Sequence, residues 1–167
     1  LEPVAVDGDV PDDLAERAPL AVEGRDGPFV ERTAGQPTLT DGAVESVAAT
    51  LASADRGLLV AGPADAPGLD AESMADLAAA TGFPILADPL SGHRFGHVAD
   101  KPVFGGYDAY LTLEVTDEWP DPDVVFRFGA SPTTKTLRQY LERVDARQFL
   151  VDPGGEWREA TFTATDL

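Results

Sequence analysis

The chain has 167 residues, no cysteine and a formal net charge of −18, which arises from 30 acidic and 12 basic side chains. This length suits one domain with a proper hydrophobic core, and the lack of cysteine excludes disulfides and thiolate metal sites. The negative charge argues against nucleic acid and anionic membranes as partners, because it repels their phosphates. There is no signal-peptide pattern at residues 1–4 and no apolar run near the roughly 18 residues of a membrane span, so we expect a cytoplasmic protein.

The acidic residues are spread along the chain from Asp7 to Asp166, and arginine outnumbers lysine ten to two. An acidic face for a basic partner would gather these charges, whereas a surface adapted to a high-salt cytoplasm would disperse them. The composition is therefore haloarchaeal-like, and it predicts a protein whose stability rises with salt.

Residues 1–38 are rich in proline, glycine and acidic residues and show no steady hydrophobic period. This composition predicts an extended linker that wraps the domain, and the domain itself would occupy residues 39–167.

Apolar segments with helical or strand character alternate along the rest of the chain. The pattern predicts helices opening at Thr40 or Asp41, at Asp70 (ending at Gly82), at residue 108 (running to 113) and at Thr133 or Thr134, with strands over 57–62, 83–88, 124–128, 148–151 and, near an edge, 161–164. Strands and helices in this alternation predict an α/β fold, a three-layer Rossmann-like domain with a mainly parallel central sheet.

Two common site types do not fit the sequence. The first strand-to-helix turn begins Gly62-Pro63 and lacks G-x-G-x-x-G, and Asp65 in it would repel a pyrophosphate, which argues against a dinucleotide. His93 and His97 have a spacing that suits metal ligands on a helix, but glycines interrupt any helix there and a third neutral ligand is lacking. We therefore expect a solvated loop.

The stretch over residues 129–135 is the best candidate for a binding site. It follows a predicted strand, and ligands of open parallel sheets collect at the carboxyl ends of strands. Gly129 permits close backbone approach, Ser131, Thr133 and Thr134 offer hydroxyls, and Lys135 is one of only two lysines in the chain. These residues alone fit an anion site and a capped helix with a surface lysine equally well.

Two motifs carry a family resemblance: FGASPTTK over residues 128–135, followed by Leu137 and residues 140–141, and LADPLSG over residues 86–92. In this order and spacing they resemble the middle domain of 2-succinyl-5-enolpyruvyl-6-hydroxy-3-cyclohexene-1-carboxylate (SEPHCHC) synthases, which act in menaquinone biosynthesis. The resemblance covers essentially the whole chain and is most specific over residues 56–152.

The resemblance implies a three-domain enzyme that depends on thiamine diphosphate and Mg²⁺, decarboxylates 2-oxoglutarate and adds the resulting carbanion to isochorismate. The first and third domains would bind the cofactor in a homodimer or homotetramer, so this chain would bind no cofactor or metal and would be inactive alone. Its partners would be those missing N- and C-terminal domains. The sequence agrees in lacking a G-D-G…N run for Mg²⁺-diphosphate.

Carried over from the family, the substrate-facing residue is Lys135, which would help to hold an anionic substrate. Ser131 and Thr134 would accompany it, Ser91 and Arg94 are weaker candidates, and no catalytic residue is expected in this chain. Some members carry arginine directly after the lysine; here the residue is Thr136, which puts a clamp of two cations in doubt.

Two alternatives remain open from the sequence. One is the middle domain of another thiamine-diphosphate enzyme, such as an acetohydroxyacid-synthase-like protein, although its flavin or nucleotide contacts are not found in the glycine turns. The other is a free-standing module that binds a small anion.

Overall fold

A computed structural model describes residues 11–28, 30–31, 33, 35, 37–63, 70–95 and 102–167. The chain divides into two units, Leu1–Gln36 and Pro37–Leu167. The role of residues 1–38 as a wrapping linker stays a prediction.

The first unit contains two single-turn helices that the sequence did not predict, α1 (Leu14–Arg17) and α2 (Pro19–Val22). Pro19 stands in the first turn of α2, where the missing N–H costs no helical hydrogen bond. Neither helix buries a residue, so no apolar face marks them in the sequence.

The second unit is a five-stranded sheet in the order β3-β2-β1-β4-β5, and every strand pair in it is parallel. This arrangement confirms the predicted Rossmann-like α/β fold. Its elements are α3 (Asp41–Ser53), β1 (Gly57–Ala61), α4 (Ala71–Thr81), β2 (Ile85–Ala87), β3 (Val103–Phe104), a 3₁₀ turn (Tyr107–Ala109), α5 (Leu113–Thr116), β4 (Val124–Phe128), α6 (Lys135–Arg143) and β5 (Arg147–Val151).

The predicted N-caps of α3 and α4 are present. Thr40 Oγ1 accepts a hydrogen bond from Ala43 N at 3.3 Å, and Asp70 Oδ1 accepts one from Ser73 N at 2.7 Å. Gly82 ends α4 in the left-handed conformation. Local sequence therefore fixes where α3 and α4 begin and where α4 ends.

The sheet is buried on both faces because its central strands are apolar on both sides. Along β1, Leu59 and Ala61 face one core cluster, while Leu58 and Val60 face the other. The first cluster packs against α3 and α4, and the second against the 3₁₀ turn and α6. The unit thus has three layers, and the continuous apolar run over residues 58–61 is typical of a parallel strand covered on both faces.

Three sequence expectations for this unit were wrong. Residues 161–164 form no strand; Asp166 instead makes an isolated bridge to Phe149 on β5. The helix expected over 108–113 is a 3₁₀ turn followed by the later, separate helix α5. Strand β3 was missed, because two residues are too few to show a period of two.

Candidate functional site

The exit turns of β1 and β4 pack directly against each other at the carboxyl edge of the sheet. Gly62 N donates to Phe128 O at 2.8 Å, and Ala130 N donates to Pro63 O at 2.9 Å. A Cβ on Gly62 would lie 2.0 Å from Ala130 O, and one on Gly129 would lie 2.6 Å from Pro63 O. The close approach that Gly129 permits in this structure is therefore between two turns of the chain.

Asp88, the residue directly after β2, joins the two sequence motifs. Its carboxylate is fully buried, and Oδ2 accepts hydrogen bonds from Thr133 N and Thr133 Oγ1, both at 2.8 Å. Oδ1 accepts a third from Leu90 N at 3.0 Å. A side chain of the LADPLSG motif thus holds the backbone of the FGASPTTK motif. The sequence pattern did not single out Asp88 as a site residue, because its partner lies on a distant segment.

Ser91 and His93 are part of the internal structure of the loop after β2. The Ser91 hydroxyl donates to Asp88 O at 2.7 Å and accepts from His93 N at 3.1 Å. His93 is only 5 % exposed, so the expectation of a solvated loop was wrong at this residue. Burial lowers the pKa of His93, which keeps the imidazole neutral at pH 7. His97 lies outside the described residues, as does Asp65.

Arg94 is half-buried beside the segment that follows β3. Its side chain lies against Gly105, where a Cβ would come within 2.5 Å of Arg94 Cγ. Its guanidinium carbon is 5.3 Å from the ring centroid of Phe95, close enough for a cation–π contact. Arg94 therefore reaches the carboxyl side of the sheet, although it makes no ion pair with a described residue.

Ser131, Thr134 and Lys135 lie together on the turn that leads into α6. Lys135 is the first residue of the helix, is exposed, and forms no ion pair within the described part of the chain. A cation in the first turn of a helix is unfavourable for the helix dipole, so the position itself favours an anion nearby. The first turn of α6 contains no acidic residue, and the carboxylate of Asp88 is bound to Thr133 N, two residues before Lys135.

Two hydroxyls on this turn are buried without a hydrogen-bond partner among the described residues, Ser131 Oγ and Thr134 Oγ1. Thr134 is the N-cap of α6, yet its side chain caps no backbone N–H. The phenol of Tyr107 lies beside Thr134, and within the described part of the chain it too has no well-formed hydrogen bond. Burial raises the pKa of Tyr107 to about 12, so this hydroxyl stays protonated.

A second buried polar cluster lies on β4 and was missed by the sequence reasoning. Arg127 is 2 % exposed and its Nη2 lies 3.0 Å from Glu159 Oε1. Arg127 Nη1 donates to Gln148 Oε1 at 3.3 Å, and Gln148 Nε2 donates to Leu141 O at 2.7 Å. The only sequence signal was a charged residue inside an apolar strand, and nothing local identified its partner.

An apolar pocket of about 520 Å³ lies near the amino ends of β1 and β2, with Leu58, Leu86, Tyr110 and Trp119 in its wall. Arg56 stands at its margin with its guanidinium already bonded to Asp123 Oδ1 at 3.2 Å and to a backbone carbonyl. Among the described residues that line the pocket, none offers a free charge of the kind that Lys135 offers.

Within the described ranges, no three histidine, aspartate or glutamate side chains are grouped so that they could hold a metal ion. In the same ranges, no helix has the length and apolar character needed to cross a bilayer.

No family model matches the chain. Among curated proteins, SEPHCHC synthase of Haloquadratum walsbyi is 58% identical over 168 residues, which cover 100% of this chain and 26% of that protein. The synthase of Natronomonas pharaonis is 58% identical over 177 residues, covering 100% of this chain and 29% of that protein. That of Geobacillus kaustophilus is 47% identical over 131 residues, covering 78% of this chain and 22% of that protein. The chain belongs to the SEPHCHC synthase family.

Because the chain spans 26% and 29% of the length of the two relatives that are 58% identical to it, it represents one part of a SEPHCHC synthase. Both motifs that carried the resemblance lie at the carboxyl edge of the sheet, where Asp88 and Thr133 join them. This edge is therefore the candidate site of the SEPHCHC synthase domain.

Proposed function

We propose that this chain is the middle domain of a three-domain SEPHCHC synthase that requires thiamine diphosphate and Mg²⁺. The whole enzyme decarboxylates 2-oxoglutarate and adds the resulting carbanion to isochorismate in menaquinone biosynthesis. The observation that carries the proposal is the identity of 58% along the entire chain to proteins that are named as this synthase.

The cofactor and metal belong, in this proposal, to the parts of the enzyme outside this chain. The assignment follows the resemblance to the family, in which the first and third domains bind the cofactor. We expect that the 167-residue chain alone has no synthase activity and binds no thiamine diphosphate. Turnover, or heat released when the chain alone is titrated with thiamine diphosphate and Mg²⁺, would contradict this assignment.

The role of this domain in the reaction is to present Lys135 to an anionic substrate. Three features support it: the side chain is exposed, it has no ion-pair partner among the described residues, and it lies at the carboxyl edge of a parallel sheet. Both substrates of the proposed reaction carry carboxylates, which an ammonium group can bind. Ser131 and Thr134 would supply hydroxyl groups on the same turn.

The test is Lys135→Ala in the full-length enzyme. A charged hydrogen bond to a carboxylate is worth about 1.5–3 kcal/mol, so KM for one anionic substrate should rise at least about tenfold. Gln139→Ala, at an exposed position of the same helix, is the matched control and should leave KM unchanged. Lys135→Arg should recover part of the loss, because it keeps the charge. Unchanged kinetics in Lys135→Ala would reduce this lysine to a surface residue.

A further inference from the structure

We propose that Asp88 is a positioning residue for Lys135, acting through a carboxylate clamp on the backbone of Thr133. This inference rests on the substrate-binding role proposed for Lys135. It assigns a task to the LADPLSG motif, which the proposed function leaves without one.

The clamp begins with an anchored aspartate. Asp88 N donates to Ala61 O at the end of β1 at 2.8 Å, and Asp88 O accepts from Ser91 N at 2.9 Å and Ser91 Oγ at 2.7 Å. Leu90 N holds Oδ1 at 3.0 Å. Since the main chain of Asp88 is bonded on both sides, its carboxylate has a fixed position relative to the sheet.

The free end of the clamp is Oδ2, which takes two hydrogen bonds from one residue. Thr133 N and Thr133 Oγ1 both approach it at 2.8 Å, across 45 positions of sequence. Thr133 precedes Lys135 by two residues and lies just outside the N-cap, Thr134. The N-cap side chain gives no backbone hydrogen bond, so α6 lacks the usual local device that fixes its first turn. Asp88 supplies that constraint from the loop after β2.

The charge of Asp88 makes the clamp specific for a carboxylate. The side chain is fully buried, and no cation of the described residues pairs with it. Its oxygens are satisfied by two backbone N–H groups and one hydroxyl, all of them donors. An asparagine would turn a donor toward one of these donors, because an amide has only one acceptor oxygen. Asp88→Asn therefore opens one side of the clamp without changing its size.

Hydrogen exchange in the full-length enzyme tests the clamp without reference to Lys135. We expect faster amide exchange over residues 131–137 in Asp88→Asn than in the native enzyme, because the turn loses its anchor. Asp76→Asn, an exposed acid on α4, is the matched control and should exchange like the native enzyme. Equal exchange in Asp88→Asn and Asp76→Asn overturns the clamp.

Kinetics test whether the clamp serves Lys135. Thr133 is exposed, so Thr133→Val should fold while losing the hydroxyl contact to Asp88, and Thr133→Ser keeps that contact. A displaced lysine binds substrate less well, so Thr133→Val should raise KM about three- to tenfold with kcat within about twofold, and Thr133→Ser should restore most of the affinity. In a Lys135→Ala background the same change should raise KM by less than about twofold, because the group being positioned is gone.

The outcomes separate this inference from the proposed function. If Lys135→Ala raises KM but Thr133→Val does not, the lysine keeps its role and the positioning role of Asp88 is wrong. If the rise in KM of the double variant equals the product of the rises in the two single variants, the positioning role is also overturned, because the two residues then act independently. If Lys135→Ala leaves KM unchanged, the substrate-binding role itself fails, and the kinetic part of this inference fails with it.

Discussion

Arg127 and Glu159 form the most deeply buried ion pair of the described residues. Their side chains are 2% and 0% exposed, and Glu159 is held further by Thr161 and by Thr163 N at 2.9 Å. A buried pair recovers its desolvation cost only when the remaining hydrogen bonds are made, and Glu159 meets that condition better than Arg127, whose Nε has no partner among the described residues. The pair ties the segment after β5 to the centre of the sheet.

Removing one partner of this pair should be costly. Glu159→Gln leaves the buried guanidinium of Arg127 without its counter-charge, so the free energy of unfolding should fall by about 3–5 kcal/mol. Asp117→Asn breaks a pair with Arg143 in which Asp117 is 66% exposed, and it should cost less than about 1 kcal/mol. Urea unfolding of both variants checks the comparison. A similar fall in the free energy of unfolding in the two variants would contradict the larger stabilisation expected of the buried pair.

The same glutamate should give a pH dependence with a defined sign. Burial raises the pKa of Glu159, but hydrogen bonds from Thr161 and Thr163 and the charge of Arg127 outweigh it and hold the pKa at about 2, below the ordinary 4.5. A lowered pKa stabilises the fold above the unfolded value, and this stabilisation is lost as pH falls from about 4.5 toward 2. Unfolding free energies measured down this range should decline more steeply in the native chain than in Glu159→Gln. If the unfolding free energies of the native chain and Glu159→Gln decline equally with pH, the lowered pKa of Glu159 is contradicted.

At the scale of elements, the exits of β1 and β4 are matched turns that only glycine fits. Gly129 has a φ of +78°, and its missing Cβ leaves room for Pro63 O. Gly62 in turn makes room for Ala130 O. The turn that carries Lys135 therefore owes its position to a neighbouring strand as well as to its own sequence.

Gly82 is the matched comparison for Gly129, because its φ of +74° is nearly the same while no atom of the described residues lies within 4 Å of the place that a methyl group would occupy. Gly82→Ala should therefore cost only the backbone strain of a left-handed residue, about 1 kcal/mol. Gly129→Ala adds a clash with Pro63 O at 2.6 Å, so its loss should be at least about 1 kcal/mol larger. Thermal or urea unfolding measures the stability of both variants. Equal losses of stability would show that the turn at Gly129 relaxes to accommodate the methyl group without cost.

Elements with a strong local signal were predicted correctly, and weak ones were not. Thr40 and Asp70 cap their helices as expected, and the apolar run of β1 became a buried parallel strand. Strand β3 has two residues and takes its structure from pairing with β2, so nothing in its own sequence announced it. The expected strand over 161–164 instead turns back to satisfy Glu159, a partner that a period of two cannot reveal.

At the scale of the whole molecule, a charge of −18 on 167 residues must repel itself in the folded state. Salt should relieve this repulsion, because the screening length falls from about 10 Å at 0.1 M to about 3 Å at 1 M. We expect the melting temperature of the chain to rise when dilute buffer is replaced by molar KCl. The same rise in sucrose of equal osmolarity would point to excluded volume, and equal stability in dilute buffer and KCl would refute a salt-adapted surface.

The sequence by itself determined the α/β class, the buried parallel strands, the caps of α3 and α4 and the presence of a turn before Lys135, since each depends on neighbours a few residues away. Tertiary structure decided the strand order, the hydrogen bonding of that turn to Asp88 and the pairing of Arg127 with Glu159. These contacts join segments far apart in the chain, and hydrogen bonds between distant residues leave no periodic trace in either segment. The sequence therefore marked Lys135 as a candidate, whereas the fold showed the hydrogen bonds between Asp88 and Thr133 in the turn that precedes it.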